Sequence, residues 1–274
     1  MGPLSNRVVA ITGASAGIGR ATATEVASRG ATVIACARRQ HLLDTLQDEI
    51  TRSGARMTSL AADVTSESDM TAFVARAVAD HGRLDVMICN AGIGFRGALD
   101  DTPPEALRRL VDVNILGTLY AARAALVQMR RQGSGHLIAI SSIVGRRGVG
   151  GSSVYSATKA AQVGLIEGLR AEFVGTNLHA SIVFPISTVT EFRDAIARDF
   201  GQQTAGKGPR QPPERVARAI ADCIETPTAE VYPYRLARWL AVLAVVAPTQ
   251  ADKLVRRFGR RRAEEHAPNA GSHS

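Results

Sequence analysis

Ser142, Tyr155 and Lys159 stand close together in the segment SSIVGRRGVGGSSVYSATK. Tyr155 and Lys159 are four positions apart, so on a helix they share one face. Ser142 precedes the tyrosine by 13 residues. A free phenol titrates near ~10 and exchanges protons poorly at neutral pH. An ammonium beside it would stabilise the phenolate and pull that value down. A serine hydroxyl can hold a substrate oxygen against the phenol. Such a set suits proton transfer at an alcohol or carbonyl oxygen while a nicotinamide carries the hydride. By itself, a tyrosine–lysine pair at this spacing is an ordinary exposed helix pair. Lys159, however, is one of three lysines (with Lys207 and Lys253) among 33 basic residues that are otherwise arginine.

A second group could hold the cofactor that this chemistry needs. Residues 8–19 read VVAITGASAGIG, with glycine at 13, 17 and 19. Glycines at a strand-to-helix turn let backbone N–H groups approach a pyrophosphate, and the helix N-terminus adds its positive dipole end. Arg38-Arg39 follow the run TVIACA, which ends at Ala37. An acidic residue there would bond ribose hydroxyls, whereas arginine accommodates a 2′-phosphate. The pattern therefore favours NADP(H) over NAD(H). Asp63 and Val64, then Asn90 and Gly92, follow two further strand candidates, where ligands of parallel sheets bind. Each is equally compatible with a simple Asx turn.

Positioning these residues requires a parallel sheet. Short, mostly apolar runs fall at Arg7–Thr12, Thr32–Ala37, Arg56–Ala61, Leu84–Cys89, His136–Ile140 and His179–Phe184. Between them lie helical patterns at Gly17–Ser28, His41–Thr51 and Ser66–Asp80, the last capped by Thr65 or Ser66. A long helix opens at Pro103-Pro104 and runs toward Arg131, and another spans Tyr155–Phe173. The βαβ alternation predicts an α/β fold: one Rossmann-type, doubly wound parallel sheet flanked by helices, with a C-terminal helical extension. Residues 1–232 would form the catalytic domain and 233–274 the extension. Residues 186–211 read as a mobile insertion serving as substrate lid, followed by a helix at Pro213–Glu225. Arg146-Arg147, near Ser142, could form an electropositive rim for an acidic substrate, or be solvated loop arginines.

TGASAGIG, CNAG, Asn114 within VDVNILG, Ser142 and YSATK follow one another in the order of the short-chain dehydrogenase/reductase family, which the chain resembles from residue 5 to about 230. The resemblance implies Gly13, Ser15, Gly17, Ile18 and Gly19 around the cofactor phosphates, and Arg38 at the 2′-phosphate with Arg39 beside it. It implies Asp63 and Val64 at the adenine, and Asn90 and Gly92 beside the ribose. Ser142 would bind the substrate oxygen, and Tyr155 would be the acid/base. Lys159 would bind the ribose and lower the phenol's pKa, and Asn114 would hold a water of the proton relay. The family's usual Pro-Gly after the sixth strand is Pro185-Ile186 here, with Thr188 and Thr190 near the nicotinamide carboxamide. The implied activity is alcohol–carbonyl interconversion (EC 1.1.1.-) on a small, lipophilic ketone, aldehyde or secondary alcohol. A catalytically silent NADP-binding scaffold is the alternative. The family also commonly forms dimers and tetramers through the helices at 103–131 and 153–173.

Composition narrows the partners. Hydrophobic residues make up 45% of the 274, enough for a sizeable core. Three widely spaced cysteines argue for reduced thiols and a cytoplasmic setting. The histidines show no metal-ligand spacing, so no metal is expected. The first residues lack the pattern of a signal peptide, and no uncharged 18-residue apolar run suggests a spanning helix. The net charge of +8 favours anionic partners. With only 4% aromatics, stacking platforms for nucleic acid are scarce, and none is expected as partner. Residues 239–247 form an apolar run flanked by Arg235, Arg238 and, later, Arg256, Arg257, Arg260, Arg261 and Arg262. Peripheral membrane contact through 235–262, a subunit interface, or packing over the cleft would all use these residues. The last dozen residues read as a disordered tail.

Overall fold

A computed structural model describes residues 2–201 and 210–253. Seven strands form one parallel sheet in the order β3-β2-β1-β4-β5-β6-β7. They are β1 (Val8–Thr12), β2 (Thr32–Ala37), β3 (Arg56–Ala61), β4 (Val86–Cys89), β5 (Ser134–Ile140), β6 (Asn177–Val183) and β7 (Glu230–Val231). The two-residue β7 lies outside the strand signals of the sequence. It pairs in parallel with Ile182 and Val183 at the sheet edge.

Successive strand residues point to opposite faces, and both faces are covered. Val8, Ala10, Ile34 and Cys36 enter the core beneath α3 (Glu67–His81), α5 (Gly117–Gln132) and α7 (Ser153–Glu172). Val9, Ile11, Val33 and Ala35 enter the other, beneath α1 (Gly17–Ser28), α2 (Gln40–Arg52) and α9 (Pro213–Glu225). This is why the strands read as continuous apolar runs rather than alternating ones. Ser66 caps α3 by accepting from the Asp69 N–H at 3.2 Å.

The helix foreseen from 103 to 131 runs unbroken over Pro104–Gln132, as α4 (Pro104–Val111), a π-helical turn at Asp112–Leu116, and α5. The widened turn falls at Asn114, a buried residue that belongs to the site. The insertion at 186–211 is partly regular, holding α8 (Phe192–Phe200); residues 202–209 lie outside the described part. The chain also forms the short α6 (Ile143–Arg146) after β5 and, in the extension, α10 (Arg235–Val246). Residues 254–274, including the predicted tail and its arginines, lie outside the described residues.

Candidate active site

The strand order reverses between β1 and β4, and a cleft of about 550 Å³ opens at the carboxyl ends of the strands there. At one end, β1 turns into α1. Gly13 adopts a φ of +68°, and a Cβ on it would lie 2.8 Å from the Ala91 backbone. Gly19 is closed in by the Gly13 carbonyl and the Asn90 amide, so neither position admits a side chain. Asn90 fixes this junction by donating to the carbonyls of Thr12 and Gly13 at 3.0 and 3.1 Å. Ala16 stands at the N-cap of α1 and supplies no side-chain cap, so the first-turn N–H groups remain available to an anion.

Ser15, Gly17 and Ile18 line the cleft with Gly13. Arg38, Arg39, Asp63, Val64, Asn90 and Gly92 continue its wall. Arg38 is exposed, while Arg39 donates to Glu191 Oε2 at 3.0 Å and to Ser15 Oγ at 3.3 Å. Asp63 accepts from the Thr65 N–H and hydroxyl, both at 2.9 Å, so it makes an Asx turn and lines the cleft at once. Pro185, Thr188 and Thr190 also line it. Although Ile186 stands where glycine is usual, the loop is held in place. Pro185 O accepts from the Ile143 N–H, the Val189 N–H donates to Gln211 O, and the Gln211 N–H donates to Ser187 O.

At the other end Tyr155 and Ser142, the residue that opens α6, both line the cleft. Lys159 is 4% exposed, and its Nζ lies 5.9 Å from the Tyr155 ring centroid. That ammonium donates to Ile140 O at 2.9 Å and to Gln162 Oε1 at 3.1 Å. The expected depression of the phenol is not found. Burial outweighs the opposing effect of Ser142 and pushes Tyr155 up to about 12. Burial likewise pulls Lys159 down to about 8, because its nearest partners are neutral amide oxygens rather than a carboxylate.

Asn114 and Gly19 are the predicted site residues absent from the cleft wall. Asn114 sits beneath it, fully buried. Its Oδ1 accepts from the Ile93 N–H at 2.8 Å, and its Nδ2 donates to Ile93 O and Thr158 Oγ1. Its carbonyl accepts from Gln162 Nε2 at 2.9 Å and from Thr118 Oγ1 at 2.8 Å. Gln162, which the sequence reading passed over, joins Lys159 to Asn114. The available signal is its place on the Tyr155–Lys159 face of α7, an amide where the neighbours are Ala, Val and Leu.

The remaining wall is largely apolar, with Arg96, Glu191 and Arg198 also lining it. Ile93, Phe95, Val144, Val149, Ile186, Phe192 and Ile196 surround the space before Tyr155. Helix α8 closes over it: Phe192 packs 6.0 Å from the Tyr155 ring and Phe200 meets Phe95 edge-on at 5.2 Å. Arg146 and Arg147, expected as an electropositive rim, do not line the cleft. Arg146 pairs with Glu167 and Glu230 and covers the Phe184 ring, while Arg147 pairs with Asp252. Both guanidiniums are drawn away by carboxylates that are distant in sequence.

Comparisons with known proteins agree with this geometry. The model of the short chain dehydrogenase family matches residues 7–200. An uncharacterized oxidoreductase of Staphylococcus saprophyticus is 35% identical over 231 residues, spanning 83% of this chain and 93% of the relative. A ketoacyl reductase of Nostoc is 30% identical over 265 residues, 94% of this chain and 91% of the relative. A metagenomic short-chain oxidoreductase solved with NADP superposes with a TM-score of 0.72 at 29% identity, covering 84% of this chain and 97% of that one. The shared fold, the nucleotide-sized cleft at the switch point and these likenesses together make the chain an oxidoreductase belonging to the short-chain dehydrogenase family.

Proposed function

We propose that the chain interconverts an alcohol and a carbonyl on a lipophilic substrate and prefers NADP(H). One observation carries the reading: Ser142, Tyr155 and Lys159 line the same cleft as Arg38 and Arg39, beside a largely apolar space. Gly13, Ser15, Gly17, Ile18 and Gly19 would hold the pyrophosphate through backbone N–H groups, and Arg38 the 2′-phosphate. Asp63 and Val64 would flank the adenine, and Asn90, Gly92 and Lys159 the ribose. Pro185, Thr188 and Thr190 would border the carboxamide. When bound, the nicotinamide cofactor supplies or accepts the hydride.

Ser142 would hold the substrate oxygen against Tyr155. In reduction the Tyr155 hydroxyl gives its proton to the carbonyl oxygen; in oxidation the phenolate takes it back. Asn114 and Gln162 would act as positioning residues, through Lys159. The apolar wall of Phe95, Val149, Phe192 and Ile196 favours lipophilic ketones and aldehydes.

The test is a panel of lipophilic ketones, aldehydes and alcohols followed by nicotinamide absorbance with each cofactor. Turnover should occur and favour NADPH over NADH. Tyr155→Phe should lower it by about 10³-fold while NADPH binding persists. Unchanged turnover in that variant would defeat the assignment. Equal use of NADH by the wild type and an Arg38→Ala, Arg39→Ala double variant would defeat the cofactor preference.

A further inference from the structure

Helix α10 is turned inside out relative to an ordinary surface helix. Its protein-facing stripe is Ala237, Ala241 and Ala244, all buried. Its outward arc carries Leu236, Trp239, Leu240, Val242, Leu243, Val245 and Val246, with Trp239 71% and Val246 77% exposed. Surface helices normally bury the large apolar residues and expose the small or polar ones. The orientation is held from the protein side. Ala251 is buried just beyond the helix, and Arg147 pairs with Asp252 and donates to Pro248 O. Among the described residues this is the densest group of exposed large hydrophobic side chains, seven of thirteen.

We propose that this outer face of α10 docks on an anionic lipid bilayer, lying flat in its interface. Length decides against spanning. Twelve residues at about 1.5 Å each reach about 18 Å, short of a hydrocarbon core of ~30 Å. Charge decides the lipid. Arg235 and Arg238 begin the helix, and no acidic residue occurs between Glu230 and Asp252. The sequence then runs KLVRRFGRRR over residues 253–262, six cations and no acid, mostly outside the described residues. Apolar insertion beside arginines is the pattern of an interfacial helix on acidic headgroups. A second copy on the same face would bring these cations together with no carboxylate on the helix to answer them. The tryptophan sits mid-helix on the outward side, the residue type that settles at membrane–water boundaries.

Trp239 is the chain's single tryptophan, so the wild-type protein reports on the face directly. Its emission should shift to the blue with vesicles of equal parts phosphatidylcholine and phosphatidylglycerol, and brominated lipid should quench it. The protein should float with these vesicles, and much less with phosphatidylcholine alone. Arg235→Ala with Arg238→Ala should weaken the association about tenfold. Leu243→Asp with Val246→Asp should abolish flotation while leaving turnover intact, since neither residue touches the cleft. Emission unchanged by anionic vesicles would overturn the proposal, as would flotation of the aspartate variant. A blue shift without lipid that rises with protein concentration, together with a doubled mass, would instead make the face a subunit contact.

Discussion

Helices α7 and α10 break the same patterning rule in opposite directions. Helix α7 buries Ser156, Thr158, Lys159 and Gln162, whereas α10 buries alanines and exposes tryptophan, leucine and valine. Polar burial is costly unless every group finds a partner, and α7 meets that condition through Asn114, Thr118, Ile140 and Ser152. Large exposed apolar area finds no such compensation among the described residues, and the proposed bilayer contact would supply it. Departures from simple amphipathicity thus mark the two places where this protein does more than fold.

Substitutions in α7 should separate the two helices most sharply. Lys159→Met should lower turnover by about 10³-fold, measured at saturating cofactor. Gln162→Leu should lower kcat about tenfold and destabilise the fold by about 2 kcal/mol, because it strips a donor from Asn114 O and an acceptor from Lys159. Gln162→Glu keeps an oxygen for the ammonium and should recover most of the rate; a purely structural role would leave kcat unaffected once the protein is folded.

Next in size is a pH effect. Lys159 falls from its usual 10.5 to about 8 in the folded chain. Between these values the unfolded chain binds more protons, so this group makes stability rise with pH. Below 8 its full penalty is present; above 10.5 it is gone. The wild type should therefore gain on Lys159→Met by up to about 3 kcal/mol across that window, read from denaturant melts. Tyr155 acts in the opposite sense from 10 to about 12, where its raised value makes stability fall as pH rises, and a Tyr155→Phe background removes it. A flat difference would show that the ammonium is better solvated than its burial implies.

The smallest effect should come from α10. Leu243→Asp with Val246→Asp should leave stability within about 0.5 kcal/mol, since both side chains point away from the core. A large loss of stability there would erase the contrast between the two helices.

Much of the fold was legible because its signals are local. Buried parallel strands need continuous apolar runs, and β2 falls on the residues where such a run lies. The glycine-rich turn and the Tyr155–Lys159 spacing are legible for the same reason. The π turn at Asp112–Leu116 was not, since a widened helical turn leaves no periodic mark in a segment with good helix formers on both sides. The short β7 was also hidden, being two residues stabilised by β6 rather than by its own propensity.

Amino-acid order by itself determined the class of fold, the glycine cradle and the face shared by Tyr155 and Lys159, all properties of neighbours along the chain. Only the tertiary structure decided that Lys159 leans on Gln162 and Ile140, that Arg146 and Arg147 belong to distant carboxylates, and that α10 turns its large side chains outward. Those outcomes depend on which buried groups and charges meet across the fold, and a linear spacing does not carry that information.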